Sequence, residues 1–212
     1  MNKLVILTGK ARAGKDTSLM HLEYLLHLKY TRIVKSLHFA EPLKKFCMEV
    51  LGLSYTHCYG DTFQKNADTH ILWENVPISH EVREKYRKEN KSTGKYMTGR
   101  EVMEIFGSYI CRQMFPECWA KAAEIEYSRN MSLSNVQYFI TDCRFPNEIE
   151  VFKKYNPLII RLTRNTENRQ AVSETSLDNF DWSSYNTVTI DNTSLSLEER
   201  NALLERDVLP LL

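Results

Sequence analysis

The chain has 212 residues, 42% of them hydrophobic and 26% charged, with a formal net charge of +1. That length fits one domain with room for an inserted subdomain, and the apolar content is ample for a core. The near-neutral balance excludes a broad polybasic surface for DNA or acidic membranes, and no stretch reaches the apolar length of a membrane span.

Met1-Asn2-Lys3 runs straight into an apolar strand, Leu4 to Leu7, which leaves no room for a signal peptide. The strand feeds Gly9-Lys10-Ala11-Arg12-Ala13-Gly14-Lys15-Asp16-Thr17: a glycine, four residues, then Gly-Lys. That is the spacing of a phosphate-binding loop. Gly9 and Gly14 allow the backbone to wrap so that consecutive N–H groups point inward. A helix starting near Gly14 turns its positive end to the same phosphate, and Lys15 adds a full charge. Such loops place Ser or Thr after the Lys to hold Mg²⁺; here Asp16 stands there, a hard oxygen ligand able to hold the metal directly or through water. Thr17 then offers a hydroxyl to a phosphate oxygen. ATP and Mg²⁺ are the expected ligands; the alternative is an ordinary Gly-rich turn between strand and helix.

Leu19, Leu22, Leu25, Leu26 and Leu28 form the buried stripe of the helix behind the loop. Ile33 to Phe39 reads as a second strand. Ala40-Glu41-Pro42 opens a helix whose apolar face is Leu43, Phe46, Cys47, Val50 and Leu51, ended by Gly52. Lys44 on it is either a solvated charge or faces a substrate cleft. From Ser54 to Met97 the chain turns polar and rich in turn formers, and Glu81 to Lys91 is a charge-rich run that reads as a solvated helix or mobile loop. A stretch this long without periodicity reads as a lid or binding insertion. Thr98 and Glu101 have capping-box spacing and open a helix with Val102, Met103, Ile105, Phe106, Tyr109 and Ile110 on its apolar face. Arg100 and Arg112 lie at its opposite ends. Pro116 breaks the pattern, and a helix from about Glu117 to Arg129 carries Trp119 and Lys121.

Val136 to Thr141 is a strong apolar strand followed by Asp142, a Walker-B position suited to orienting Mg²⁺, or else a turn-capping Asp. Arg144, two residues on, is expected to aim into the same cleft. Pro146-Asn147-Glu148 starts a helix, and Leu158 to Leu162 is a fourth strand. Arg161, Arg164 and Arg169 punctuate this strand and the polar segment that reaches Asp181; they suit phosphate clamping, because guanidinium binds oxyanions bidentately, or are surface charges. Thr187 to Ile190 is a fifth strand, and Ser196 with Glu199 is a second capping box opening a helix to about Leu209. The five cysteines, at 47, 58, 111, 118 and 143, are odd in number and lack C-x-x-C spacing, which argues against disulfides or zinc and for a reducing cytoplasm.

Five strands alternating with helices predict an α/β domain with a mainly parallel sheet, here a P-loop NTPase kinase fold. The core is expected to be 1–53 and 132–212, with a substrate-binding insertion of about 54–131 between strands 2 and 3. The combination suggests a small-molecule kinase rather than a motor or switch.

The loop with its Lys15-Asp16-Thr17 ending resembles that of bacteriophage deoxynucleoside monophosphate kinases. Further blocks are similar: Phe39-Ala40-Glu41-Pro42-Leu43-Lys44; Gln64-Lys65-Asn66 with Thr69 and Trp73-Glu74-Asn75-Val76-Pro77; Met97 to Met103, Phe106-Gly107-Ser108 and Trp119-Ala120-Lys121; Thr141 to Glu148; and Ser173-Glu174-Thr175. Together they span most of the chain. One departure is Ala171-Val172, where relatives often carry a His. The resemblance implies transfer of the ATP γ-phosphoryl group to a deoxynucleoside 5′-monophosphate, supplying nucleotides for phage DNA synthesis. It implies Lys10 to Thr17 and Arg164 on the ATP side, with Lys15 catalytic, and Asp16 and Asp142 at the metal. Arg100, Arg112 and Arg144 would serve the acceptor phosphate and the transferring group. Phe39 and Trp119 would wall the base or simply pack, Lys121 is a further phosphate candidate, and Arg164 and Arg169 would lie on a closing lid. Lys44, Gly107, Ser108 and Glu174 complete the substrate side. The expected protein is a cytoplasmic monomer or homodimer, in the host cytoplasm if viral, with small-molecule substrates and neither nucleic acid nor membrane as partner. A kinase of another phosphorylated metabolite, or an ATP-driven switch, are the competing readings.

Overall fold

A computed structural model of the chain describes residues 4–164 and 175–212. The chain divides into two compact units, Met1–Phe39 with Ala120–Leu212, and Ala40–Trp119.

The first unit is built on a five-stranded sheet of β1 (Leu4–Thr8), β2 (Ile33–Leu37), β5 (Val136–Cys143), β6 (Leu158–Thr163) and β7 (Asn186–Asp191), in the order β2-β5-β1-β6-β7. Every pairing is parallel. β1 is central and wholly buried. A parallel strand covered on both faces needs an unbroken apolar run rather than an alternating one, and Leu4 to Leu7 supplies it. In register, Val5 lies beside Phe139 on one side and Leu158 on the other, and Thr8 lies beside Cys143 and Arg161. Parallel strands need crossovers, and the crossover after β1 is α1 (Lys15–Tyr30). Leu22, Leu25 and Leu26 of α1 join Val5, Leu7, Phe139, Ile160, Leu204 and Val208 in one buried cluster.

An aromatic cluster belongs to the same unit. Tyr127 of α8 (Cys118–Asn130) meets Tyr138 at 5.2 Å and Tyr155 at 4.9 Å between ring centres, both edge-on. Phe152, the last residue of α9 (Pro146–Phe152), completes it. Glu124, buried beside these rings, accepts a hydrogen bond from the Tyr155 hydroxyl and pairs with Lys154 at 2.9 Å. Those two partners hold its carboxyl below the usual range.

The second unit has its own core: Cys47, Leu53, Trp73, Met97, Val102 and Ile105. Around it run α2 (Ala40–Glu49), α3 (Tyr55–Tyr59), α4 (Thr62–Lys65), α5 (His80–Glu89) and α6 (Gly99–Glu104). The helix of α6 continues through a π-helical stretch, Ile105–Cys111, into α7 (Arg112–Met114). The antiparallel pair β3 (Asp68–Leu72) and β4 (Tyr96–Thr98) makes a small second sheet, pinned by Thr69 Oγ1 donating to the Met97 carbonyl at 2.7 Å.

Several expectations shift. The inserted unit begins at Ala40 and ends at Trp119 rather than spanning 54–131, because Cys47 of α2 is buried in that core with Leu43 and Met48 against it, while Tyr127 of α8 packs with the large sheet's unit. The charge-rich run is a helix, anchored by buried Tyr86, whose hydroxyl donates to Glu104. β2 stops at Leu37, short of Phe39, and β5 continues through Asp142 to Cys143. Both capping boxes form, at Thr98 and Ser196. The second opens α10 (Leu197–Leu203), which passes into a π turn, Leu204–Val208, and a 3₁₀ turn, Leu209–Leu211.

Among the described residues no helix is long and apolar enough to cross a membrane. All five cysteines are free thiols. Burial pushes the Cys47 thiol up to about 12 and raises that of Cys143, which is also buried. The thiolate is the reactive form, so native protein treated with iodoacetamide at pH 8 should leave Cys47 and Cys143 unmodified, while denatured protein labels at all five sites; mass spectrometry reads the difference. Phe139 is fully buried in the centre of its cluster. Phe139→Ala should cost about 3–5 kcal/mol in urea unfolding.

Candidate functional site

The loop joining β1 to α1 is shaped by its two glycines. Gly9 has φ +151° and Gly14 φ +98°, both in the region that favours glycine, and Arg12 between them sits at φ 64°. Space is equally restrictive. A Cβ on Gly9 would lie 2.3 Å from the Leu162 carbonyl oxygen of β6, and one on Gly14 would lie 2.6 Å from Nη1 of Arg200. Inside the turn, Ala13 N–H donates to the Lys10 carbonyl at 3.1 Å. Lys15 Nζ donates to the carbonyls of Gly9 (2.6 Å) and Lys10 (3.0 Å), so the ammonium lies against the loop backbone. Gly14 caps α1 with no side-chain hydrogen bond. A helix end of this kind offers backbone N–H groups and a partial positive charge.

Two residues brace the loop from outside. Asn192 Nδ2 donates to the Ala13 carbonyl at 2.8 Å. Arg200 Nη1 donates to Thr17 Oγ1 at 2.9 Å, and that hydroxyl donates to the Gly14 carbonyl at 3.0 Å. Thr17 thus ties α1 to Arg200. Arg200 is 4% exposed. Its Nε has no hydrogen-bond partner among the described residues. Burial lowers its pKa, and neighbouring Arg164 lowers it further. Sequence reading passed over Arg200. The signal was its spacing: Arg200, Leu204 and Val208 recur at four-residue steps, so the arginine occupies a buried-face position.

Beside the loop, at the carboxyl ends of β1, β5, β6 and β7, lies a cavity of about 440 Å³. That is within the range of small-molecule sites. Its charged lining is mainly cationic: Lys10, Arg144, Arg161 and Arg164 against Asp178 and Asp191. Lys10 Nζ pairs with Asp178 at 3.1 Å, and Arg164 Nη1 donates to the Arg12 carbonyl at 3.3 Å. Asp191 accepts from the Thr193 hydroxyl (2.6 Å) and N–H (3.0 Å), which hold its carboxyl below the usual range.

Asp142 is on the same sheet edge, and its Oδ1 accepts the Phe39 N–H at 3.1 Å. Glu148 Oε2 accepts the N–H groups of Arg144 (2.8 Å) and Phe145 (3.1 Å), fixing the turn that carries Arg144. Phe39 itself is 3% exposed and packs 6.0 Å from Phe152. It is a core residue, because the strand ends before it and its ring turns inward, and it presents no face to a base. Among the described residues no group of three or more His, Cys, Asp or Glu could hold a metal. Mg²⁺ does not need one; it usually takes one or two carboxylates and completes its octahedron with water and phosphate oxygens. Asp16, in the first turn of α1, and Asp142, near the end of β5, are the carboxylates that could serve it.

The second unit holds most of the other expected residues. Arg100 Nε donates to Asn66 Oδ1 at 3.0 Å, on the wall of a cavity of about 450 Å³ that also includes Thr62, Asp68 and Lys91. Lys44 Nζ lies 4.5 Å from the centre of the Tyr59 ring. Lys65, which sequence reading left without a role, has its pKa lowered by burial first and then by Lys44 and Arg100. Lys65 thus lies within electrostatic reach of both Lys44 and Arg100. Trp119 Nε1 donates to the Gly107 carbonyl at 3.1 Å, which clamps the indole to the π-helical stretch. Gly107 is there for closeness: a Cβ would sit 2.8 Å from Leu43 Cδ2. Ser108 is exposed, Arg112 half-buried, and Lys121, in the first unit, half-buried. Arg169, Ala171-Val172 and Glu174 lie outside the described residues.

No protein-family model matches this chain, and no curated protein matches it at a significant level.

Gly14 combines positive φ with contact from Arg200. Gly14→Ala should destabilise by at least ~1 kcal/mol, a fall of about 2–4 °C in melting temperature per kcal/mol for a chain of this size. Differential scanning calorimetry reads it directly.

Proposed function

We propose that this protein transfers the γ-phosphoryl group of Mg·ATP to a deoxynucleoside 5′-monophosphate, as a P-loop phosphotransferase akin to the phage kinases its sequence resembles. The observation that carries the reading is the glycine loop at the end of the central parallel strand. Two positive-φ glycines wrap the Lys15 ammonium there, beside a cavity lined by Lys10, Arg144, Arg161 and Arg164. In open parallel sheets ligands bind beyond the carboxyl ends of the strands, which is where this cavity lies.

Phosphoryl transfer asks little covalent chemistry of a protein. It asks for alignment, exclusion of water and neutralisation of charge. In this reading the loop N–H groups and the start of α1 cradle the phosphates. Lys15 exchanges the carbonyls of Gly9 and Lys10 for phosphate oxygens. Arg164 takes a further oxygen from the cavity wall, and Arg144 meets the transferring group. Asp16 and Asp142 would hold Mg²⁺, which when bound neutralises charge developing on the phosphate oxygens. The acceptor falls to the second unit, where Arg100, held by Asn66, and Lys65, within electrostatic reach of Arg100 and of Lys44, offer positive charge to a monophosphate dianion. Arg112 is a further donor on that unit. The assignment to deoxynucleotides, and to phage nucleotide supply, rests on the resemblance of the sequence blocks.

The test is to incubate the purified chain with Mg·ATP and each deoxynucleoside monophosphate in turn, reading ADP and diphosphate. Diphosphate is the expected product. ADP without a phosphorylated acceptor would instead make the chain an ATP-driven switch, and turnover only with non-nucleotide acceptors would make it another metabolite's kinase. Lys15→Ala should lose both ATP binding and turnover. Arg100→Ala and Arg144→Ala should lower kcat by about 10²–10³, the usual loss for one electrostatic group at a reacting centre, with ATP affinity changed no more than a few-fold. Equal turnover in the arginine variants would overturn their assignment.

A further inference from the structure

Arg161 differs from the other cations of the 440 Å³ cavity in its surroundings. It is the one charged position in β6, and its Cα is in register with Thr8, the last residue of β1 before Gly9. Lys10 has Asp178, and Arg164 has the Arg12 carbonyl. Arg161 has neither carboxylate nor hydrogen bond among the described residues; its contact is the indole of Trp182, whose ring centre lies 4.4 Å from the guanidinium carbon. The side chain is half-buried, and burial depresses its pKa. Arginine nevertheless stays protonated. A partly desolvated guanidinium gains more from an oxyanion than a fully hydrated one does, because the charge-assisted pair is stronger where solvent is partly excluded.

Trp182 is well placed to hold that plane. It also lines the cavity, and it meets Phe180 edge-on at 4.7 Å and Tyr185 at 6.5 Å. The Tyr185 hydroxyl donates to Glu150, and Lys153 Nζ lies 4.7 Å from the centre of the Tyr185 ring. The indole is thus one member of an aromatic platform tied down at its far side. Stacking on such a face fixes the guanidinium plane while leaving the edge N–H groups for a ligand.

We infer that Arg161 is an oxyanion ligand of this cavity, binding a phosphate oxygen of the nucleoside triphosphate beside the glycine loop, and that Trp182 is the positioning residue that presents it. The inference rests on the reading of the cavity as a triphosphate site. It adds a phosphate-binding pair in which the aromatic residue contributes orientation rather than contact with the base.

Calorimetric titration of the full chain with inorganic tripolyphosphate and with ATP tests it, alongside melting temperatures. Wild type should bind both. Arg161→Gln should weaken both by about 10–100-fold, the loss of a charge-assisted hydrogen bond, with an unchanged or raised melting temperature. Trp182→Leu should weaken both by about 3–10-fold, the scale of a cation–π contact. The double variant should bind no more weakly than Arg161→Gln alone, which a merely structural tryptophan would not produce. Arg161→Lys, which keeps the charge without the planar fork, should fall between wild type and Arg161→Gln, and serves if the glutamine variant does not fold. Wild-type affinity for tripolyphosphate in Arg161→Gln overturns the inference, as does a loss confined to ATP, which would make Arg161 a base contact. Additive losses in the double variant overturn the positioning role of Trp182. If wild type binds neither ligand, the triphosphate reading itself fails and takes this inference with it.

Discussion

The structure of the candidate site depends on the closeness of the glycine loop to its neighbours. β1 is sealed between β5 and β6 with every residue buried. Its chain must therefore leave at the sheet's edge and turn immediately, under the Leu162 carbonyl on one side and against Arg200 and Asn192 on the other. A Cβ at Gly9 would run into the Leu162 carbonyl and one at Gly14 would press on the Arg200 guanidinium, and the backbone at both takes angles that side chains disfavour. In the resulting turn the Lys15 ammonium lies against the carbonyls of Gly9 and Lys10. Local backbone chemistry and global sheet topology thus impose the same shape, and neither alone would do so.

The charges around that turn are held in different ways. Lys10 is paired with Asp178, Lys15 is bound by backbone carbonyls, Arg164 by one carbonyl, and Arg200 by the Thr17 hydroxyl and the Asn201 side chain. Carbonyls and hydroxyls orient a cation without cancelling its charge, whereas a carboxylate cancels it. Arg164 and Arg200 are thus oriented by uncharged oxygens that leave their charge in place, and the Arg200 pKa, lowered by burial and then by Arg164, is one sign of that. An arrangement of this kind is poor for stability and good for meeting a multiply charged anion.

The fold was legible where one physical rule dominated. A buried parallel strand leaves an apolar run, a glycine loop leaves its spacing, and a capping box leaves Thr98 with Glu101 or Ser196 with Glu199. The small sheet was not legible, because β3 and β4 are short and partly exposed and neither alternates clearly. Nor was the ownership of α2: an amphipathic face reports that a helix is buried, not against which core, so the unit boundary at Ala40 was invisible. For the candidate site, spacing pointed to Lys10 to Thr17 and to Asp142, which the fold places at the carboxyl ends of β1 and β5. It did not separate Phe39, whose ring is core, from a base wall, nor find Lys65 or Arg200, nor single out Arg161 from its neighbouring arginines, because the significance of these three lies in burial and in the groups around them.

Arg200 shows why burial carries functional information that charge counts do not. An apolar residue of similar length on that face of α10 would join Leu204 in the core at no desolvation cost, and replacing buried charge with packed hydrocarbon is often neutral or stabilising. The guanidinium instead sits 4% exposed with one nitrogen unmatched among the described residues. Its return contribution is geometric: a hydrogen bond that fixes Thr17 in the first turn of α1, and a rigid body against Gly14. Both act on the orientation of the loop rather than on the packing of the sheet. The energetic burden at this position is therefore best understood as the cost of a preshaped turn, which under the proposed function would spare the loop part of the ordering entropy that binding an anion otherwise costs.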